Sequence, residues 1–450
     1  MRRASLVSAL NHLLQPHPDR RLQSHWHWVQ IGVVILPFSP LLGGISIILT
    51  SVLLWGTDHK TLLQRPMTWG LALLSVLMIG TACLGVDWRN ALLGTYNFLP
   101  LFITFSALSA LIQTPEQLRR LSWLLVLNSV PVVAIGFGQQ FLGWAGHPKI
   151  LWLVMDLVIA KGGNPIGRMA SVFDYANFLA SYLSLVLILG LGLWIEALPS
   201  ALKPRHRSSA ADAPKISPPF HFIGLTTVLR GMAGAIVLTS SRNAWVITFL
   251  AGLAFALYQR WYWLTAATTA AATALFGAAF APSPAREGLR FVIPRFFWAR
   301  VSDELYPDRP IADLRQTQWH FAWAMTQQRP WTGWGLRSFT SLYQAQMHVW
   351  LGHPHNLFLM LTAETGIPAT VLLISLVGWI MAQGSRLLLV SAVAPTALNQ
   401  PDRLILFSYL LAFAACTLAA TVDVTLFDFR INLLGWMLLS GICGIVYYRR

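Results

Sequence analysis

Apolar stretches of about 18 to 25 residues recur along the whole chain, separated by short polar breaks, and each is long enough to cross the ~30 Å hydrocarbon core of a bilayer as a helix. The pattern predicts spans over 67–85, 90–112, 121–144, 172–198, 220–239, 243–259, 262–281, 357–383, 403–421 and 431–448. Residues 24–56 are also apolar, but Pro37, Pro40, Gly43 and Gly44 interrupt them. Two short helices meeting in a tight turn suit that interruption better than one helix of about 50 Å. The expected fold is therefore all-α, a polytopic transmembrane helical bundle of about twelve spans, with one long loop that contains an amphipathic helix. Its parts are an N-terminal transmembrane bundle (1–281), a large loop (282–354) and C-terminal transmembrane helices (355–450).

Composition removes the main alternative. A mean hydropathy of +0.56, with 55% hydrophobic and 11% charged residues, lies far outside the range of a soluble domain. Cys83, Cys416 and Cys443 all fall in apolar stretches and read as small buried hydrophobes, not as a disulfide framework. The first 25 residues carry Arg2, Arg3, Arg20 and Arg21 without the apolar run of a signal peptide, which suits a cytoplasmic tail. No internal repeat is apparent.

Charge orients the bundle. With the N-terminus inside, seventeen Lys and Arg fall in cytoplasmic segments and six in short outer loops, the asymmetry that the positive-inside rule requires. The long loop can carry its eight arginines outward. Most of the +15 net charge is then topogenic and suits an anionic inner leaflet, and no nucleic-acid module is present. Residues 203–219 form a Pro/Ser/Ala-rich cytoplasmic linker, and the Ala-rich 265–281 suits close helix packing.

Polar residues gather at the outer face. Arg168, Asp174 and Asn177 precede or begin one span, Arg242 stands in the short turn TSSRNAW, and Asp423, Asp428 and Arg430 lie in TVDVTLFDFRIN. An arginine at a helix end ordinarily snorkels to headgroups, but the turn around Arg242 is too short for it to lean far outward. Arg230, near the middle of a span, is read as structural, with a buried helix-to-helix clamp as one such role. In the long loop, Leu314, Trp319, Ala322 and Trp323 take approximate helical spacing, which predicts an amphipathic helix with Arg315 and Gln318 facing the site, followed by the turn RPWTGWG.

HPHNLFLMLTAETGIPA, residues 353–369, sits where a polar segment gives way to an apolar one. On a helix, His355, Leu359, Thr362 and Gly366 would share one stripe, with Gly366 admitting a close neighbour and, together with Pro368, breaking the helix so that Glu364 stays out of hydrocarbon. A neutral imidazole near pH 7 can take a proton from a hydroxyl. His353 is the weaker candidate, since Pro354 isolates it from the helix. Arginines beside such a base suit a reaction in which an anion leaves, because guanidinium forks bind phosphate oxygens in pairs. A lipid-linked diphosphate sugar fits, with its prenyl tail between spans and its diphosphate at the interface. No carboxylate cluster with metal-ligand spacing is evident, and no cofactor or metal is expected.

These motifs resemble the O-antigen ligase and O-antigen polymerase superfamily. His355-Asn356 followed nine residues later by Gly366 is similar to its signature, SRNAW to its Ser-Arg element, Arg168 to Asn177 to its Arg, Phe, Asn segment, and R-x3-W at 315–319 with P-x-x-G-x-G at 330–335 to its loop helix and turn. Ala369 stands where the family has Gly, Thr or Tyr, a departure from the ligases proper more than from the superfamily. The resemblance implies a metal-independent, inverting glycosyltransferase of the bacterial inner membrane, active on the periplasmic side. Its partners would be a polyprenyl-diphosphate-linked glycan donor, a lipid or glycan acceptor and membrane lipid, with no nucleic acid. By the same resemblance His355 is the catalytic base, Arg168, Arg242 and Arg315 bind the diphosphate, and Asn356, Glu364, Asn177 and Gly366 support them. The alternative is a small-anion transporter of the bicarbonate type, which would favour polar residues at the midplane instead of one face. A non-catalytic membrane scaffold is a third reading.

Overall fold

A computed structural model describes residues 15–147, 149–150, 153–154, 157–202, 218–302, 304, 310–393, 398–424 and 427–449. Arg2, Arg3, Arg309, Arg450 and most of the expected linker lie outside these residues. Local chemistry sets the helix starts. The Ser39 hydroxyl accepts from the Leu42 N–H and Pro40 occupies the first turn, so the chain leaves α1 (Gln23–Ile35) and enters α2 (Pro40–Leu63) through the expected tight turn. α3 (Pro66–Cys83), α4 (Trp88–Gly94) and α5 (Leu99–Leu111) follow, and then α6 (Pro115–Phe141), which opens on a Thr114/Gln117 capping box. A two-residue hairpin pair, β1 (Lys149–Ile150) and β2 (Leu153–Val154), precedes α7 (Ala176–Leu202), α8 (Pro218–Leu238), α9 (Arg242–Tyr258) and α10 (Tyr262–Phe280).

Among the described residues nine helical segments are long and apolar enough to cross a membrane, and Phe222–Leu238 and Arg242–Tyr258 are shorter apolar helices. The protein is an all-α polytopic membrane bundle. α1, at 13 residues, reaches only about 20 Å and does not by itself match a ~30 Å core. Helices from before and after residues 282–354 share one continuous core. α7 and α17 (Phe429–Tyr448) run through its centre, each 78% buried along its apolar window, whereas α10 is 11% buried and lies at the periphery. Arg230 is exposed on α8, so the buried clamp considered for it is not what forms.

The long loop holds more order than one amphipathic helix. It contains α11 (Ala285–Val292), α12 (Arg295–Val301), α13 (Arg315–Gln328) and α14 (Ser338–Met347). α13 buries Gln318, Ala322, Met325 and Thr326, while Leu314 and Trp323 are exposed. The helix therefore packs on protein through Ala322 and the residues beside it and leaves Leu314 and Trp323 on its open side. Ala322, Met325, Phe339, Tyr343 and Ala363 make a second small core between α13, α14 and the start of α15 (Leu357–Val393).

That small core is clipped to α15 where the helix breaks. Gly366 takes φ 80°, ψ 165°, a conformation that side-chain-bearing residues avoid. Its opened backbone meets the RPWTGWG turn through Trp334 N–H to Ala363 O (3.0 Å), Gly335 N–H to Glu364 O (2.9 Å) and Ile367 N–H to Pro330 O (2.8 Å). A Cβ on Gly366 would lie 2.5 Å from Trp331 O, and one on Gly333 would lie 2.5 Å from Glu364 O. At the opposite end of the bundle Arg119 ties three helices together, bonding Glu196 of α7 at 2.9 Å and Asp402 of α16 (Gln400–Ala420) at 2.7 Å.

Candidate active site

Helix ends and loops converge at the end of the bundle that carries residues 282–354. His355 does not lie on α15, as the helical stripe assumed. It precedes the helix with φ 51°, and Asn356 caps the helix, its Oδ1 accepting the Leu359 N–H at 3.0 Å. The His-Asn pair thus divides its work: one residue presents an imidazole and the next starts the helix beneath it. His355 Nδ1 lies 3.0 Å from Asp423 Oδ1, in the turn between α16 and α17. Burial opposes charge on Asp423, but the His355 hydrogen bond, the charges of both histidines and the Val424 N–H outweigh it and hold the carboxyl down to about 2. An ionised Asp423 accepts the His355 Nδ1 proton, and in the neutral form of the ring that leaves Nε2 with the free lone pair.

His353 packs edge to face with His355 at 4.4 Å between ring centroids, stacks on Phe427, and accepts the His355 N–H on Nδ1 at 3.1 Å. Burial, with smaller contributions from His355 and Arg315, lowers its pKa to about 4, so the ring is neutral near pH 7. His353, His355 and Asp423 bring potential ligand atoms within 4.8 Å of one another and could hold a metal ion. Both Nδ1 atoms take part in hydrogen bonds, His353 Nδ1 with the His355 N–H and His355 Nδ1 with Asp423.

Arg168 enters from the segment before α7. Gln139 of α6 accepts the Ala170 and Ser171 N–H groups at 3.0 and 2.8 Å and pegs that segment in place. A second peg is Arg430, buried in an ion pair with Asp428, which donates to Val172 O at 2.9 Å and lies over the Phe173 ring. Arg168 Nε donates to Thr239 O at 2.7 Å and Nη2 to Asn177 Oδ1 at 2.5 Å. Asn177 Nδ2 in turn donates to Asp423 Oδ2 at 3.1 Å. Arg168, Asn177, Asp423 and His355 therefore form one hydrogen-bonded chain.

The TSSR turn meets two more arginines. Arg300 of α12, buried, donates from Nε to Ser240 O at 3.0 Å, and Arg242 Nη1 lies 3.4 Å from Arg300 O. Arg242 opens α9, whose N-terminal N–H groups and dipole add to the positive field. Arg315 is exposed at the start of α13, close enough to His353 to depress its pKa. Gln318 does not face the site; it is buried and turned toward Ala312 O. Glu364 is also elsewhere: its Oε1 accepts the Phe339 N–H at 3.0 Å and caps α14. Glu364 and Gly366 hold the loop, Asn177 joins the hydrogen-bonded chain to Asp423, and Asn356 caps α15. Asp423 and Arg300 were legible only as members of polar clusters, with nothing in their spacing to mark a partner.

Beneath His355 and Asp423 an apolar cavity of about 540 Å³ opens between α15, α16 and α17, lined among others by Leu357, Phe358, Leu361, Phe413, Thr421 and Trp436. The bundle thus carries a polar, arginine-containing cluster at one end, above an apolar pocket. Residues 228–374 match the family model for O-antigen ligase, and the match supports membership of the O-antigen ligase/polymerase superfamily. The matched segment includes Arg242, Arg315, His355 and Gly366 and ends before Asp423. It supports a membrane glycosyltransferase-type ligase or polymerase and lends nothing to anion transport. No curated protein matches the chain.

Proposed function

We propose that the protein transfers or polymerises glycan from a polyprenyl-diphosphate-linked donor onto an acceptor hydroxyl, at the periplasmic side of the inner membrane. The observation that carries this reading is the His355–Asp423 pair beside Arg168 and Arg242 and above an apolar cavity. The cavity suits a prenyl chain, the guanidinium groups suit the diphosphate, and His355 Nε2 suits the acceptor proton. In the step, Nε2 takes the hydroxyl proton as that oxygen attacks the anomeric carbon. The bond from that carbon to the diphosphate oxygen breaks, and its electron pair leaves with the diphosphate. Arg168 and Arg242 meet the charge as it develops, which is where fixed donors are most effective. A single displacement inverts the anomeric carbon.

His355→Ala tests the assignment. Chemistry should slow by about 10² to 10⁴, the usual worth of a general base. Donor binding should persist, so lipid-linked glycan accumulates while finished glycan disappears. A His355→Ala protein that inserts normally and transfers glycan at the wild-type rate refutes the base.

A further inference from the structure

An asparagine at the start of a helix ordinarily bonds its own neighbouring backbone. Asn177, the second residue of α7, does not: its side chain joins residues 9 and 246 positions away. Its two ends are chemically distinct and both are used. Oδ1 accepts from a guanidinium, which can only donate, and Nδ2 donates to a carboxylate that accepts. Turning the amide over would set NH₂ against Arg168 and C=O against Asp423, so the network fixes one orientation. Because the amide is planar, displacing Arg168 rotates the group that Asp423 Oδ2 accepts from. Asp423 is held at its other oxygen by His355 and by the Val424 N–H at 2.9 Å. Arg168 Nη1 has no protein acceptor among the described residues, which leaves it to face an anion while Nε and Nη2 hold the frame.

We propose that Asn177 is a positioning residue that couples occupancy of the donor site at Arg168 to alignment of the Asp423–His355 pair, through a single amide. The proposal rests on His355 being the base and Arg168 a diphosphate ligand. A donor diphosphate that seats Arg168 also seats Asn177, and through it the carboxylate that holds the imidazole. Proton abstraction is then best aligned when donor is present.

Two variants separate coupling from packing. Asn177→Ala removes both bonds; kcat should fall by about 10- to 100-fold, a fraction of the full worth of the base, and donor KM should rise. Asn177→Asp keeps an acceptor for Arg168 but sets a second carboxylate against Asp423. Donor KM should then stay near wild type while kcat falls, and the acid limb of kcat should move to higher pH, because a second carboxylate beside the Asp423 that His355 bonds favours the protonated imidazole. Part of the loss should be recovered above about pH 8. If Asn177→Ala fails to accumulate in the membrane, Asn177→Asp alone decides. Wild-type kcat and pH profile in Asn177→Asp, or a raised KM with unchanged kcat, overturns the coupling. His355→Ala in the same assay keeps the two readings apart: if it is active the base assignment fails, and if it is inactive while Asn177→Asp behaves as wild type only the coupling fails.

Discussion

Replacing Gly366 with alanine probes how far the loop helices depend on the break in α15. The backbone there has φ 80° and ψ 165°, a region that costs a residue with a Cβ about 1–3 kcal/mol. The new methyl would also lie 2.5 Å from Trp331 O, so the turn must move. Moving it weakens three backbone hydrogen bonds, from Trp334, Gly335 and Ile367, at about 0.5–1.5 kcal/mol each. Strain plus the loss of one or two bonds comes to about 1.5–6 kcal/mol, set against docking of the 329–339 turn, not against the whole bundle. A 2.7 kcal/mol bias is about a hundredfold in the docked fraction. Gly366→Ala should therefore insert and accumulate, since its apolar core is untouched, yet expose the Arg337–Ser338 bond to trypsin added outside. Transfer should drop by at least tenfold, because α13 and the His355 segment lose their common anchor. A protected Arg337–Ser338 bond together with wild-type transfer would show that the turn tolerates a methyl and that the clip does not position the site.

Arg242→Lys keeps the charge at the start of α9 but loses the planar fork, and it should cut activity strongly at near-normal membrane abundance; wild-type turnover in purified protein removes Arg242 from the diphosphate site. His353, with its pKa near 4, is neutral throughout pH 5–8, so His353→Gln should lower activity less than tenfold and leave the acid limb of kcat in place. A displaced limb in that variant shows that His353 titrates with the reaction. The sign for stability follows from the same depressed value: the unfolded chain binds a proton at this ring from about pH 6.5 downward and the folded one only near 4, so this ring's contribution to stability declines as pH falls through that window.

Much of the bundle was readable because its cause is local. Pro37 and Pro40 force a break wherever they stand, and the tight turn appears where they predict it. Gly366 was legible as a break and a point of close approach for the same reason. What the sequence hid was partnership. His355 and Asp423 are 68 residues apart, and Asn177 and Asp423 are 246 apart, so nothing in their spacing links them. In α13 periodicity reports an apolar stripe without saying what covers it: Ala322 packs on protein with Met325 and Thr326, whereas Trp323 stays exposed. The helix start lies one residue beyond His355, since the asparagine after it, not the histidine, caps the helix.

The ion cluster at the far end of the bundle acts at a distance through leverage. Arg119 pins the start of α6, the end of α7 and the start of α16. The other ends of those three helices carry Gln139, which pegs the Arg168 segment, then Asn177, and then the turn that holds Asp423. A 27-residue helix such as α6 or α7 is about 40 Å long, so a tilt of about 1° at its pinned end displaces its far end by about 0.7 Å. Reactive groups need placement to about 0.5 Å. The fulcrum must therefore hold its angle to within a degree, and an ion cluster a helix length away from His355 and Asp423 sets the tolerance to which they are placed.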